Sequence, residues 1–207
     1  MNEYIIRFHL MSNLHIGSGF SFMGLVDKTT IKNEKNMVVI PGSTIKGKLR
    51  SACKKICRSL ESEFGHVCDG KDSPGICKKP LDEVCIICRL FGSSYTEGKL
   101  LFREATLSLN EQKRAEMLLE LYPFASVQSE LRSGNRISRS LRTSYPKQLF
   151  VSESCPGELT LEGKICSKEA LTETEKRLLS WGAKSILQIG GQKGRGLGRV
   201  SIAIEGI

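Results

Sequence analysis

The chain lacks any apolar run approaching the roughly 18 residues that a membrane-spanning helix needs. Its first seven residues also lack the basic-then-apolar order of a secretion signal. We therefore expect a cytoplasmic protein with no membrane partner. Because disulfides are rare in that reducing compartment, metal ligation and simple burial are the two competing interpretations of its eight cysteines.

Acidic residues are absent from two stretches that are rich in lysine and arginine. Residues 41–58 contain six Lys or Arg and residues 132–147 contain five, and neither stretch contains Asp or Glu. The whole chain of 207 residues carries a formal net charge of +9. Basic tracts of this kind are typical of proteins that bind the phosphates of a polyanion.

A glycine-rich, basic segment lies near the carboxyl end of the chain. Residues 190–199 contain five glycines and three cations. Glycine permits positive φ and a close approach of the main chain to a ligand, and the cations attract phosphate. The segment therefore predicts a loop that holds a phosphodiester backbone, with a flexible turn carrying solvated charges as the alternative. The predicted ligands in this loop are Gly191, Lys193, Gly194, Arg195 and Gly196.

Apolar periodicity predicts an antiparallel sheet backed by two helices. Alternation predicts strands at 4–10, 100–109 and 158–166, and a last strand that begins at Val200. In the second of these, Leu101, Ala105 and Leu107 are expected on one face. An apolar stripe predicts a helix over about 44–64 with Ser43 as its N-cap. Thr172 and Glu175 have capping-box spacing and open a second helix. The order strand, helix, strand, strand, helix, strand predicts an α+β, ferredoxin-like domain over 1–207.

Two insertions interrupt this pattern. Residues 65–99 are rich in Cys, Gly, Pro and Lys and cannot form a core of their own. Residues 129–154 are polar and basic and predict a projecting hairpin. A short helix is expected at 111–121.

The amino end of the first helix is a second candidate phosphate site. Its unpaired amides and its dipole favour an anion, and three cations follow within two turns. The predicted ligands here are Ser43, Lys46, Lys48 and Arg50. The cations farther along the helix, Lys54, Lys55 and Arg58, are interpreted as a solvated face.

Four cysteines fall in the first insertion. Cys68, Cys77, Cys85 and Cys88 are separated by eight, seven and two residues. The Cys-x-x-Cys pair can chelate, and two more thiolates would complete a tetrahedral structural zinc site. Because the first two spacings are looser than in a zinc ribbon, scattered free thiols remain the alternative.

Five short segments carry a resemblance to a known family. They are HIGSG at 15–19, LVD at 25–27, IPGSTIKGKLR at 40–50, CRLFGS at 88–93 and the glycine-rich segment at 190–199. Together they resemble the repeat-associated mysterious protein (RAMP) superfamily, and within it the backbone subunits of type III CRISPR effector complexes. These segments span nearly the whole chain in order, whereas one alone would be weak evidence.

The resemblance implies a modified RNA-recognition-type fold that takes part in antiviral defence. Further copies or related RAMP subunits would assemble along a guide RNA, together with the other type III effector subunits. His15 and Gly17 would contact RNA. The hairpin at 129–154 would be a thumb that enters the duplex of guide and target RNA, with shape and charge recognised more than sequence. Its predicted phosphate contacts are Arg132, Arg136, Arg139 and Arg142, each with a solvated basic loop as the alternative.

The resemblance also implies chemistry at Asp27. Related subunits use an aspartate in the corresponding loop to cleave target RNA with a divalent ion such as Mg²⁺. Asp27 would either hold that ion or help to remove the proton of the neighbouring 2′-hydroxyl. An isolated loop aspartate is otherwise a cap or turn residue. Related subunits can carry zinc in the insertion, where His66 is an alternative ligand.

The sequence is compatible with three other functions. The chain could be a non-catalytic RNA-binding scaffold of the same complex. It could be a stand-alone endoribonuclease that processes guide precursors, with His15 in place of the aspartate. A zinc-ribbon module that binds duplex DNA explains the cysteines and the charge but not the glycine-rich segment.

Overall fold

The computed structural model describes residues 2–68, 77, 84–122 and 129–207. Its strands are β1 (Asn2–Leu10), β2 (Leu100–Leu107), β3 (Glu130–Ile137), β4 (Ser144–Ser154), β5 (Thr160–Ser167) and β6 (Val200–Glu205). Its helices are α1 (Gly42–Ser59), α2 (Glu61–Phe64), α3 (Ile86–Phe91), α4 (Leu109–Leu121) and α5 (Glu173–Ser185), with a 3-10 turn at Lys193–Arg195.

Four strands form one antiparallel sheet in the order β2-β5-β1-β6. β1 is antiparallel to both β5 and β6, and β2 is antiparallel to β5. With α1 between β1 and β2, and α5 between β5 and β6, this is the ferredoxin-like arrangement. The predicted fold class is therefore confirmed, including the hairpin, which β3 and β4 form as a separate two-stranded sheet.

The core lies between the sheet and the two long helices. Tyr4, Ile6, Phe8 and Leu10 of β1 are buried while Ile5 and His9 are exposed, as the alternation predicts. The α1 stripe buries Ile45, Leu49 and Cys53, and the Cys53 thiol donates to the carbonyl oxygen of Leu178 in α5 at 3.6 Å.

The helix predicted over 44–64 differs from the observed one at both ends. It begins at Gly42, directly after Pro41, and no side chain caps it, so the prediction of Ser43 as N-cap is wrong. The start is earlier because the Pro41 carbonyl already accepts from the Ile45 amide at 3.1 Å. At this first position the Gly42 main chain packs against the Phe102 carbonyl more closely than a Cβ would allow. The helix also breaks at Leu60, whose φ of −127° and ψ of 53° are not helical.

β2 contains an irregularity that alters its predicted face. Its register against β5 shifts between Phe102 and Ala105. A bulge adds one residue and so moves side chains to the opposite face. Leu100 is therefore buried and Leu101 is 39% exposed, the reverse of the predicted alternation.

The predicted capping box of α5 is confirmed. Thr172 Oγ1 accepts from the Glu175 amide at 3.2 Å, and the Glu175 carboxylate accepts from the Thr172 amide at 3.0 Å. Leu178 and Leu179 are buried in the core, whereas Ser185 in the last turn is exposed. The short helix predicted at 111–121 is present as α4.

No helix within the described ranges is both long enough and apolar enough to cross a bilayer.

Candidate nucleic-acid interface and metal cluster

Asp27 lies at the surface where the loop after β1 meets the hairpin. Its main-chain nitrogen donates to the Val151 carbonyl at 2.9 Å, and its Oδ2 accepts from the Val151 amide at 2.7 Å. The side chain is exposed. One carboxylate oxygen is thus held by β4 while the residue itself remains open to solvent.

A buried glutamate at the base of the hairpin fixes the loop that carries Asp27. Glu153 Oε2 accepts from the amide and hydroxyl of Thr30 at 2.9 and 3.0 Å, and Oε1 pairs with Lys32 at 2.6 Å. The Ser129 hydroxyl donates to the same carboxylate. Although burial disfavours the charged form, the Lys32, Ser129 and Thr30 contacts outweigh it and lower the pKa of Glu153 to about 2.

His15 is placed beneath the glycine-rich loop rather than at the surface. The residue is 5% exposed, and its Nδ1 lies 2.6 Å from the carbonyl oxygen of Glu153, which requires a proton on that nitrogen. Its own carbonyl accepts from the Gly191 amide at 2.7 Å. The geometry makes His15 a support of the loop. Gly17, the other ligand predicted in this segment, sits close to the His15 ring.

The glycine-rich loop adopts the left-handed backbone conformations that its composition predicts. Gln192 and Gly196 flank the 3-10 turn with φ of 53° and 83°. Gly194 and Gly196 have open space where a Cβ would stand. Among the described residues, Gln192 Nε2 is the buried side-chain atom without a hydrogen-bond partner, a group that natural proteins normally satisfy.

Lys48 of α1 and Lys193 of this loop contact each other in the wall of a groove of about 750 Å³. Contact with the Lys193 ammonium, and then burial, lower the pKa of Lys48 to about 8. The groove also contains Lys55 and Arg199. Like charges held this close favour a bound anion, because an anion removes their mutual repulsion.

The predicted α1 ligands do not form one cluster. Lys46 and Arg50 line a second groove, beside the turn that follows α3, whereas Lys48 lines the groove of the glycine-rich loop. Two residues along a helix correspond to a rotation of about 200°, which puts Lys48 on a different face. Ser43 is exposed in the first turn.

The four hairpin arginines are exposed but differ in their contacts. Arg132 lies 3.8 Å from Glu130, and Arg136 stacks over Tyr145 at 5.1 Å from the ring centroid. Arg139 and Arg142 lie at the tip, where Arg142 has a φ of 52°.

The four cysteines of the insertion come together. The Sγ atoms of Cys68, Cys77, Cys85 and Cys88 all lie within 4.8 Å of one another. The Cys68 Sγ lies 3.4 Å from that of Cys88 and 3.7 Å from that of Cys85. Thiolates around tetrahedral zinc lie about 3.8 Å apart, since each Zn–S bond is about 2.3 Å. The donor set therefore fits a metal such as zinc.

Local hydrogen bonds favour a thiolate in this cluster. Burial disfavours charge on Cys85, but the backbone amides of Cys68 and Cys88 and the neighbouring thiols lower its pKa to about 7. Burial raises the pKa of Cys88. His66, the alternative ligand, is outside the cluster and lies 2.9 Å from a carboxylate oxygen of Glu61.

Sequence reasoning missed Glu153 and Phe150. The partners of Glu153 lie far away in sequence, Ser129 by 24 residues and Thr30 by 123, so no local pattern predicts its role. The Phe150 ring contacts Lys28 and Arg195, from two distant loops. The one available signal was the apolar run Leu149-Phe150-Val151 at the end of a polar, basic tract.

Curated relatives of this chain are CRISPR proteins. It is 27% identical over 213 residues to the protein named CRISPR system Cms endoribonuclease Csm3 from Streptococcus thermophilus, covering 96% of this chain and 86% of that protein. The protein of the same name from Enterococcus italicus is 27% identical over 150 residues, covering 69% of this chain and 61% of that one.

Solved structures and a family model agree with the fold. The type III-B Cmr-beta complex bound to cognate target RNA contains a chain that superposes with a TM-score of 0.66 at 12% identity, over 99% of this chain and 97% of that chain. A chain in the apo state of the same complex superposes with a TM-score of 0.65, again over 99% of this chain and 97% of that chain. The RAMP superfamily model matches residues 7–201. Because that match spans nearly the whole chain, the protein belongs to the RAMP superfamily.

Proposed function

We propose that the protein is a backbone subunit of a type III CRISPR effector complex that binds guide RNA and cleaves the bound target RNA at regular intervals. Its partners are both RNAs, further copies of itself or related RAMP subunits, and the other effector subunits. The observation that carries the proposal is the position of Asp27, exposed where the basic hairpin meets the loop after β1. The relatives named as endoribonucleases support it.

The residues around Asp27 have the charges that phosphodiester cleavage needs. Lys28 and Arg195 are cations near the same hairpin strand, and both contact Phe150. They would hold a phosphate next to the carboxylate and offset charge that develops on it. Asp27 Oδ2 stays bound to the Val151 amide, so Oδ1 is the atom left to accept the proton of a 2′-hydroxyl or to ligate a cation.

A divalent ion fits this site only with help from RNA. The described residues gather three or more His, Cys, Asp or Glu ligands solely at the cysteine cluster, so Asp27 would be the protein's contribution. Mg²⁺ commonly binds one or two carboxylates together with substrate phosphates, which suits a site of this kind. When bound, it would supply charge stabilisation at the attacked phosphate.

The cysteine cluster has a structural role in this proposal. Zinc held by Cys68, Cys77, Cys85 and Cys88 would tie the insertion to α3, which carries Cys88. Structural zinc contributes directly to folding free energy. The cluster would therefore shape the groove that Lys46 and Arg50 share with residues 91–98.

A non-catalytic scaffold is the second candidate, and one observation favours it. The hydrogen bond from the Val151 amide gives Asp27 a structural task that would retain the residue without any chemistry. The position of His15 argues against guide processing at this residue, because His15 is buried and its Nδ1 is engaged by the Glu153 carbonyl.

Two substitutions at Asp27 separate chemistry from structure. Asp27→Asn removes the negative charge but keeps an oxygen that can accept from the Val151 amide. Asp27→Ala removes both. Glu34→Gln, an exposed acid elsewhere in the same loop region, is the matched control. Each variant is assembled with its partner subunits and guide RNA, and cleavage of a labelled target is followed with Mg²⁺ and with a chelator.

We expect both Asp27 variants to abolish target cleavage, with assembly and target affinity unchanged for Asp27→Asn. The Glu34→Gln complex should cut like the wild type. Regularly spaced cleavage by the Asp27→Asn complex would refute the catalytic assignment and leave the scaffold role. Cleavage of precursor guide RNA by the protein alone would instead support the processing enzyme.

A further inference from the structure

One aromatic ring in the hairpin contacts cations from two separate loops. Phe150 of β4 is paired with Gly134 of β3. A Cβ at position 134 would lie 2.6 Å from the ring, so only glycine leaves space for it there. The register of the hairpin and the absence of a side chain at Gly134 therefore set the position of the ring.

The two cations come from opposite ends of the chain. Lys28 Nζ lies 5.5 Å from the ring centroid, and the guanidinium carbon of Arg195 lies 5.4 Å from it. Both are within the distance at which a cation is attracted to a π face. The two charges therefore lie within about 11 Å of each other, so both can act on one stretch of RNA backbone.

Neither cation is neutralised by an ion pair with a carboxylate, judged over the ranges that the structure describes. Arg132, by contrast, lies near Glu130, and Lys32 is paired with Glu153. A contact with an aromatic ring orients a cationic side chain without neutralising its charge. Lys28 and Arg195 are therefore held in place and remain available to an anion.

The ring is also tied to Asp27 through the main chain. Phe150 precedes Val151, whose amide and carbonyl both bond to Asp27, and Lys28 follows Asp27 directly. The contact between β4 and this loop thus fixes the positions of the Asp27 carboxylate and of Lys28. The ring of Phe150 then holds Arg195 of the glycine-rich loop.

We infer that Phe150 is a positioning residue that holds Lys28 and Arg195 as a pair of RNA-backbone ligands beside Asp27. The part of Phe150 in cleavage rests on the proposed function of Asp27. Its effect on how Lys28 and Arg195 bind RNA does not depend on cleavage. The pair would bring one scissile phosphate to the carboxylate and reduce the repulsion between these two anions.

The test compares Phe150→Leu with Phe150→Tyr. Leucine keeps apolar bulk beside Gly134 but has no π face, whereas tyrosine keeps the face. Affinity for a fluorescent single-stranded RNA is measured against salt with the full-length protein, and single-turnover cleavage is measured in the assembled complex. Thermal melting of each variant reports on folding.

We expect Phe150→Leu to lower the cleavage rate roughly tenfold, since two weak contacts that orient cations are lost. The slope of the logarithm of RNA affinity against the logarithm of salt concentration should become shallower by roughly 0.7. That change corresponds to the loss of one phosphate contact on a single strand. Phe150→Tyr should match the wild type in both measurements. Adding Arg195→Ala to Phe150→Leu should change the slope less than Arg195→Ala does alone.

A wild-type salt slope and cleavage rate for a folded Phe150→Leu protein would overturn the inference. Equal losses for Phe150→Tyr and Phe150→Leu would also overturn it, because they would show a packing role without need of a π face. Should the Asp27→Asn complex still cleave, the proposed function fails, but the salt slopes still decide whether the ring pairs the two cations.

Discussion

The main chain of Gly190 lies directly against the carbonyl group of His15, closer than a Cβ atom would permit. Gly190 has a φ of 82°, and the next amide, that of Gly191, donates to the same His15 oxygen at 2.7 Å. The segment after β1 and the glycine-rich loop are therefore joined by their backbones. His15 supports the loop through this contact, and its ring packs under Gly191.

Replacing Gly190 should destabilise the protein. Gly190→Ala forces a side chain both into positive φ and into the His15 carbonyl, so we expect a loss of about 2 to 4 kcal/mol in the free energy of unfolding. Gly194→Ala is the control, since no atom lies within 4 Å of its Cβ position. Denaturant unfolding should show a change below about 0.5 kcal/mol for the control. Equal stability of the two variants would contradict the observed contact.

The cysteine cluster should bind one zinc ion per chain. Cys85→Ser and Cys88→Ser each remove one of four ligands, and we expect both to abolish stoichiometric zinc and to lower the melting temperature. Cys166→Ser changes a buried thiol of β5 outside the cluster and should keep its zinc. Metal analysis and melting with and without a chelator provide the measurements. A zinc-free wild-type protein whose melting is insensitive to added zinc would contradict this prediction.

Glu153 should make the stability of the protein depend on acid pH. Its pKa in the folded protein, about 2, lies below the ordinary value of 4.5, so the folded state favours the charged carboxylate. The resulting stabilisation is complete above about pH 5 and is lost as the pH falls from there towards 2.

Glu153→Gln removes this contribution and leaves the Lys32 ammonium without its buried partner. We expect a loss of about 2 to 3 kcal/mol at pH 7 and a smaller difference from the wild type near pH 2. Glu120→Gln, an exposed acid of α4, should follow the wild-type curve. Unfolding curves from pH 2 to 7 make the comparison, and parallel curves for Glu153→Gln and the wild type would argue against the assigned role.

RNA binding should take up a proton at Lys48. With a pKa of about 8, Lys48 is partly neutral at pH 8, and a phosphate near Lys48 and Lys193 favours the charged form. We expect calorimetry in two buffers of different ionisation enthalpy to detect this uptake at pH 8 and to show much less at pH 6.

Lys48→Arg should remove the uptake while keeping the charge, because arginine stays protonated. Lys184→Ala, in the last turn of α5 and exposed, is the control and should retain the uptake. Identical proton uptake by the wild type and Lys48→Arg would show that RNA binds away from this pair.

Local chemistry in the sequence determined the elements of the fold. Three features depend on residues only a few positions apart: the alternation in β1, the apolar stripe of α1 and the capping box at Thr172. They can therefore be predicted without knowledge of tertiary contacts. Errors arose where a distant group intervened. The bulge in β2, which arises in its pairing with β5, reverses the face of Leu101.

Residue type and spacing also suffice to predict the four-cysteine cluster and the glycine-rich loop, whereas Asp27 was predicted only from the resemblance to a known family. Tertiary structure alone decided how they are combined. It put Lys48 with Lys193, separated both from Lys46, buried His15, and brought Phe150 and Glu153 to the loop that carries Asp27. Long-range pairs such as these depend on the register of strands and the path of loops, which no local pattern encodes.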